Sequence, residues 1–473
     1  MSLPVAVPAR PTLRPPTALV CAGCGYRSPR EALPLSCPRA GLGDDVDHVM
    51  RRTLEARRLE WPCEDEANPF VRYRTLLHGY QRALTAGLSD DYVVDLIRRL
   101  DAAIAQVDGR GFTVTPFAPS DALAGSIGIY PPASVWVKDE TANVSGSHKA
   151  RHLFGVMIEL LLADVEATRP MAIASCGNAA LAAAVVARAA ERELHVFVPT
   201  DADAGVLARL SELGAQVAVC PRRAGQSGDP TVIRLREAVA NGAVPFTCQG
   251  NENGLAIEGG LTLGYEIADA LRLSGTRLDH VVVQVGGGAL ASSVIQGLQE
   301  ANALGAIDSL PRIHTVQTRN VHPLARAYER VMVRLHERLG GPLEGAVERL
   351  SHAASSGSID GELEWIANHR AQFMWPWESA PGSVATGILD DETYDWLAVV
   401  RGMLATGGGP VVVDEHELVE ANALARAATG IDVDPTGSAG LAGLIRLYRS
   451  GAVQPRETCA VLFTGVRRNG GTP

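Results

Sequence analysis

Lysine is almost missing from this chain: of 473 residues 43 are basic, and only Lys138 and Lys149 are lysines. On a solvated surface either cation serves, so arginine replaces lysine there at little energetic cost. Arginine stays protonated, whereas a lysine can lose its proton and attack a carbonyl. The two retained lysines are therefore candidates for positions where amine chemistry is needed. Net positive charge is lacking as well. With 53 acidic residues the formal net charge is −10, which leaves no polycationic surface for a phosphate backbone, and no nucleic-acid partner is expected. No apolar run reaches the eighteen or so residues of a membrane helix. The first residues lack the charged-then-apolar order of a signal peptide, so no membrane is expected and the expected location is cytoplasmic. Eight cysteines are too few for a disulfide framework in a chain this long. Proline, at 28 residues, is ordinary and no repeat is visible, which excludes collagen-like and mostly disordered chains.

What is present is a chain that is 46% hydrophobic, enough for a large core and too long for one compact unit. We divide it into a leader over 1–50, a helical extension over 51–125 and a main α/β domain over 126–473, with an insertion near 340–380. Residues 1 to about 20 are proline-rich and expected to be disordered. Cys21, Cys24 and Cys37 outline a small zinc knuckle, but Ala40 stands where the fourth sulfur belongs. His48, Cys63 and Asp44 are the residues available to complete it, and no metal site is assigned. Residues 46–61 and 75–107 carry helical periodicity. From Ser134 onward short apolar runs (135–137, 171–174, 194–198, 217–219, 281–285) alternate with helical segments (148–164, 178–191, 205–213, 231–241), the pattern of a mostly parallel sheet. The strand pattern resumes near 409–413, and a helix follows over 415–428. Ligands of such folds sit beyond the carboxyl ends of the strands.

Four segments lie at those ends. Ser145 to Lys149 is small and polar and opens a helix, so it combines unpaired amides with an amine beside a bound anion. Ala174 to Asn178 offers consecutive amides for a carboxylate and a side-chain amide for a phenolate-like oxygen. Gly286, Gly287 and Gly288 leave amides free to cradle a phosphate. Gly286, Gly288 and Ala291 also fit a loose dinucleotide fingerprint, but the next strand ends in Gln317 and Thr318 rather than a carboxylate for a ribose. Near the C-terminus Thr464 ends an apolar run with its hydroxyl free to meet a ligand ring.

In this order the segments resemble the pyridoxal-phosphate enzymes of fold type II, and among them most closely the threonine synthases. The matching phrases are Lys138 to Glu140 leading into Ser145 to Lys149, then Ser175 to Asn178, Glu258 to Thr262 with Tyr265 to Ile267, Gly286 to Leu290, Asp434 to Thr436 and Phe463 to Gly465. The resemblance implies two α/β subdomains with mostly parallel sheets, pyridoxal 5'-phosphate as cofactor, a small amino acid as substrate and a homodimer. It implies that Lys149 joins the cofactor aldehyde as a Schiff base and later acts as a base on the substrate. Asn178 then meets the pyridine 3'-oxygen, the amides of Gly286, Gly287, Gly288, Ala289 and Leu290 hold the phosphate, and Thr464 meets the ring nitrogen. His148, which precedes the lysine as in the tryptophan synthase β chain, joins the cofactor residues. Ser175, Cys176 and Gly177 seat the substrate carboxylate, with Arg151 counted at the substrate. The sequence departs from the threonine synthases at Val144, His148 and Ala150, and Ala256 stands where they carry a phosphate-gripping arginine. The expected activity is that of a carbon–oxygen lyase, a β- or γ-elimination or replacement. A serine/threonine-type ammonia-lyase, a β-replacement synthase and a binding protein without turnover are the alternatives.

Overall fold

The computed structural model describes residues 14–30, 32–41, 43–223, 228–341, 345–378 and 382–468. Its strands, in chain order, are β1 (Thr17–Cys21), β2 (Met50–Leu54), β3 (Phe117–Pro119), β4 (Val135–Asp139), β5 (Met171–Ala174), β6 (Leu194–Val198), β7 (Gln216–Val219), β8 (Val244–Pro245), β9 (His280–Gln284), β10 (Arg312–Thr318), β11 (Pro410–Val413) and β12 (Cys459–Phe463). They form a two-stranded sheet β1-β2, a six-stranded sheet β11-β10-β9-β12-β4-β3 and a four-stranded sheet β7-β6-β5-β8. In the two larger sheets every pairing is parallel except that of β3 with β4. This is the mostly parallel α/β arrangement expected from the alternation of runs.

Both faces of the six-stranded sheet are covered, so β9 and β12 are buried throughout, β12 reading as an unbroken apolar run and β9 as three valines between His280 and Gln284. Helices Ala256–Ser274, Ala289–Ala303, Pro323–Leu339 and Trp396–Thr406 supply one core layer. Helices Asp121–Ile127, Glu415–Thr429 and Ala439–Arg449 supply the other. On the four-stranded sheet lie Lys149–Leu162 and Asn178–Ala189. The two sheet units meet where Lys149–Leu162 crosses Ala256–Ser274. A Cβ on Gly259 would stand 2.1 Å from the Arg151 carbonyl oxygen, and one on Gly155 2.5 Å from the Gly259 Cα, so only glycine permits this approach.

The N-terminal region departs from the expectations. Residues 1–13 lie outside the described chain, whereas 17–20, expected to be disordered, form β1 together with Cys21. The stretch 46–61 is not a helix: it contains β2, paired antiparallel to β1 with Cys21 opposite Met50, followed by a short 3-10 turn at Ala56–Arg58. Pairing with a strand some thirty residues upstream overrides a local periodicity that a five-residue strand cannot contradict. Helices His78–Thr85 and Asp90–Asp108 fall where the periodicity placed them, the second opened by Ser89, whose side chain accepts from Tyr92 N. Within 340–380 the chain forms helices Ala346–Ser355 and Asp360–Ala367. Trp375 and Trp377 flank the Arg326 guanidinium, 3.8 and 4.9 Å from their ring centres, and so pack on helix Pro323–Leu339.

Candidate active site

The four segments singled out in the sequence meet at the carboxyl ends of β4, β5, β9 and β12. Backbone bonds stitch the loops after β4 and β12 to each other and to the Asp434 turn. His148 N donates to Thr464 O (3.2 Å), Val466 N to Gly146 O (2.9 Å) and Asp434 N to Gly465 O (2.9 Å). Ser145 sits in the left-handed region at φ 54 and is held there by its N–H donating to Asp108 Oδ2 at 2.8 Å. Such a conformation in a non-glycine residue carries strain of about 1–3 kcal/mol, maintained by its surroundings.

Three helices begin at this junction, Lys149–Leu162, Asn178–Ala189 and Ala289–Ala303, and none has a side-chain cap. Helices opened by Ser89, Ser120, Asp203, Asp229 and Asp414 are capped, whereas others, among them Ala256–Ser274 and Pro323–Leu339, are not. The free N–H groups and the positive end of each dipole therefore converge on one space, a setting for anions.

Lys149 lies in that space. Its ammonium is close enough to act on His148, His152, Cys248, Asp390 and Asp395. Burial pushes the Asp390 carboxyl up to about 6, with Lys149 opposing. Burial and the charge of Asp47 push Asp395 to about 8. Desolvation, reinforced by Lys149, drives His148 well below its ordinary range, so its ring is neutral. Its Nδ1 donates to the Thr464 carbonyl at 3.2 Å, which leaves Nε2 unprotonated and without a partner.

Two further side chains fix orientations. Gln284 Nε2 donates to Gly437 O (2.8 Å), Leu462 O (3.2 Å) and Thr464 Oγ1 (2.6 Å). The Thr464 hydroxyl accepts that bond and is free to donate its own proton. Arg468 donates to Asn178 Oδ1 from Nε (3.1 Å) and Nη2 (2.9 Å), so the Asn178 Nδ2 donors remain for a ligand. Ser175 Oγ accepts from Gly177 N at 3.4 Å, and Cys176 between them is exposed.

Arg151 is a correction. It is fully buried away from the junction, and its guanidinium donates to Glu140 (2.8 and 2.9 Å), Glu266 (2.6 and 3.0 Å), Thr262 (3.0 Å) and Thr115 (3.1 Å). No donor is left for a substrate. Two residues beyond Lys149 on the same helix, it faces the other way; His152, three beyond, shares the lysine's face. Lys138 completes the cluster, donating to Thr115 O (2.7 Å) and Glu266 Oε2 (2.5 Å). Two cations thus balance Glu140 and Glu266. Burial opposes ionisation of Glu266, but Arg151 and Lys138 outweigh it and hold the carboxyl below its usual range. The compact ammonium of Lys138 fits beside Arg151 in this dry space, so its retention is structural.

The groups present suit an anionic aromatic aldehyde. Buried polar atoms without partners gather on the surrounding loops: Ser145 Oγ, Ser147 Oγ, His148 Nε2, Gln249 Oε1, Asn251 Oδ1 and Asp395 Oδ2. At Gly286 a Cβ would stand 2.2 Å from Asp390 Oδ2, and the Gly287 amide faces the same carboxylate, so a side-chain anion sits where the glycine amides await one.

Residues 110–465 match the family described as pyridoxal-phosphate dependent enzyme. The chain belongs to that family. It is therefore dependent on pyridoxal phosphate, and it is threonine synthase-like in sequence: the threonine synthase of Methanocaldococcus jannaschii is 24% identical over 355 residues, covering 74% of each chain. That of Methanosarcina acetivorans is 26% identical over 352 residues, again 74% of each. Among solved structures, maize serine racemase superposes with a TM-score of 0.55 at 19% identity, covering 79% of this chain and 93% of that one, which shows the fold. Diaminopropionate ammonia lyase from Escherichia coli does so with a TM-score of 0.55 at 16% identity over 79% and 88%. Among the described residues no helix is long and apolar enough to cross a membrane.

Asp390, Asp395, Gln284 and Arg468 escaped the sequence reading. Gln284 alone carried a signal, as a polar residue inside the most apolar strand.

Proposed function

We propose that this chain eliminates or replaces a β or γ substituent of a small amino acid, as a threonine synthase-like lyase, and that the substituent is uncharged or cationic rather than a phosphate ester. The observation that carries the reading is the placement of Lys149 among three uncapped helix N-termini, with the glycine cradle on one side and Asn178 and Thr464 on the others. Lys149 holds the cofactor. Gly286 to Leu290 grip its phosphate, Asn178 donates through Nδ2 to the 3'-oxygen, and the loop Ser175 to Gly177 receives the substrate carboxylate through the Ser175 hydroxyl and the Cys176 amide, the Ser175 and Gly177 amides being engaged by Phe197 O (3.2 Å) and Ser175 Oγ (3.4 Å). Bound there, the cofactor supplies an electron sink for negative charge at the substrate Cα.

The chain's own groups manage the protons. The Lys149 amine takes the proton from Cα. Because Gln284 donates to Thr464, the threonine hydroxyl presents its proton to the ring nitrogen and keeps that nitrogen uncharged, a setting that moderates the sink and favours loss of a substituent over deeper carbanion chemistry. His148 offers only a lone pair at Nε2, so it adds no positive charge beside the lysine.

The substituent preference rests on charge. Ala256 grips nothing, Arg151 is consumed internally, and the Asp390 carboxylate stands near the amine, whereas Asp395, pushed to about 8, is largely neutral and adds no attraction. A dianion is repelled by such surroundings. A cytoplasmic homodimer is expected from the likeness to the threonine synthases, and the acidic composition speaks against a nucleic-acid partner; sedimentation measures the oligomer.

The purified protein is expected to be yellow, with a visible band that borohydride bleaches and that Lys149→Ala lacks. Release of keto acid from serine or threonine, or from an amino acid with a cationic substituent, is the expected turnover. A colourless wild-type protein reconstituted with cofactor overturns the reading, and phosphate release from O-phosphohomoserine as the preferred reaction overturns its substituent part.

A further inference from the structure

The strongest unassigned cluster lies far from Lys149 in sequence, in the N-terminal sheet. The ligand atoms of Cys21, Cys24, Cys37 and His48 all fall within 4.8 Å of one another. Cys21 ends β1, and His48 stands two residues before Met50, its partner across the β1-β2 ladder. Cys24 lies in the turn closed by Gly25 N donating to Cys21 O (3.1 Å), and Cys37 in the turn closed by Ala40 N donating to Cys37 O (3.0 Å). His48 thus fills the position that Ala40 leaves vacant in the spacing.

The separations are those of a tetrahedron around a metal. With Zn–S near 2.3 Å and Zn–N near 2.0–2.1 Å, a tetrahedral site has S···S edges of about 3.8 Å and S···N edges of about 3.5 Å. Cys24 Sγ and Cys37 Sγ are 3.6 Å apart, and Cys21 Sγ and His48 Nδ1 are 3.5 Å apart. A disulfide needs sulfurs about 2.05 Å apart. The outer contacts agree. His48 Nε2 lies 3.1 Å from Asp44 Oδ2, which orients the ring with Nδ1 toward the sulfurs, as metal-bound histidines require. Asp44 is itself held by Gly41 N (2.8 Å) and Val46 N (3.2 Å).

The loop that carries His48 is also joined to the segment covering the glycine cradle. Asp45 accepts from Arg370 N (2.9 Å) and Ala371 N (2.6 Å), Asp47 N donates to Ala367 O (2.7 Å), and Trp396 Nε1 donates to Asp47 Oδ1 (3.1 Å). Beside Trp396, Asp395 N donates to Gly287 O (3.1 Å), and Thr393 Oγ1 to Gly286 O (2.9 Å).

We infer that Cys21, Cys24, Cys37 and His48 bind one Zn²⁺ ion, oriented through Asp44, and that this ion fixes residues 367–371 and 393–396 against the Gly286–Gly288 turn. Binding joins the ion to three thiolates and a neutral imidazole, and the displaced thiol protons pass to solvent. The site does not depend on the role of Lys149, so Lys149→Ala is expected to keep its metal.

Full-length protein purified without added metal is expected to contain one zinc per chain by elemental analysis. Replacement by Co²⁺ is expected to give the intense d–d bands of tetrahedral cobalt with a thiolate charge-transfer band. Asp44→Asn, which leaves all four ligands in place, is expected to lose about 10–100-fold in zinc affinity in chelator competition, and His48→Cys to retain the ion. Removing the ion with a mercurial is expected to raise amide exchange in 367–371 and 393–396. A chain without stoichiometric zinc, an octahedral cobalt spectrum, or a native Cys24–Cys37 disulfide in mass analysis overturns the site. Unchanged exchange in 367–371 and 393–396 in the metal-free protein overturns the coupling.

Discussion

Gln284 shows how one side chain sets the character of a cofactor site. Its amide donates to two carbonyls and to the Thr464 hydroxyl at once. Gln284→Met removes all three bonds and leaves buried acceptors unpaired, which costs about 1–3 kcal/mol of stability. Chemical denaturation is expected to show that loss, and the turnover number to fall about tenfold with cofactor still bound, because the Thr464 hydroxyl is no longer held as a donor. Asp395 belongs to the same scale. Its folded pKa, about 8, lies above that of a free carboxyl, so the folded state binds more protons than the unfolded state from about pH 4 to 8. Stability contributed by the neutral form is present at low pH and lost as pH rises through 8. Buried His78 and His152, lowered to about 3, act in the opposite direction but have finished titrating in the unfolded chain above about 6.5. Urea melts of the cofactor-free protein are therefore expected to show stability falling between pH 6.5 and 8, and Asp395→Asn to flatten that slope; Glu258, also raised to about 8, supplies the remainder.

At the scale of elements the helix N-termini decide what binds. Asp390 lies against the Gly286–Gly287 amides, so the phosphate must displace it or share the cradle with it. Asp390→Asn is expected to tighten binding of pyridoxal phosphate and of inorganic phosphate to the apo-protein about tenfold, equivalent to about 1.4 kcal/mol, measured by titration calorimetry. The crossing of Lys149–Leu162 with Ala256–Ser274 is equally exact in its demand. Gly259→Ala places a methyl against the Arg151 carbonyl and is expected to destabilise by about 1–3 kcal/mol or more, with a lower melting temperature as readout. Elements are also the scale at which the sequence could be read. Asn178, Gly286 to Gly288 and Thr464 stand close behind apolar runs and Lys149 opens a helix after a small, polar turn, so strand periodicity and small residues mark them locally. Gln284 and Arg468 act on partners about 180 and 290 residues distant, and no local pattern encodes such a meeting. Arg151 stands two residues from Lys149 yet faces away from it, because proximity along a chain is not proximity around a helix.

In the whole molecule the site lies where two parallel sheets approach, and the buried quartet of Lys138, Arg151, Glu140 and Glu266 ties them together: Lys138 and Glu140 come from the six-stranded unit, Arg151 from the helix on the other. Removing one member leaves an unpaired charge. Glu266→Gln is expected to cost about 3–5 kcal/mol and to lower the denaturation midpoint without altering the cofactor spectrum of the protein that remains folded. The domain pattern was legible in outline because α/β alternation repeats over hundreds of residues, but the pairing of β1 with β2 and the seating of 367–396 are long-range meetings.

Scarcity of lysine turns the protein into its own counting device. An endoprotease that cuts only after lysine can divide the denatured chain at two bonds, one following a residue sealed in the ion quartet and one following the amine at the junction. Once reduction has locked the cofactor onto Lys149 the second scission disappears, and a pair of fragments instead of a trio registers each occupied molecule.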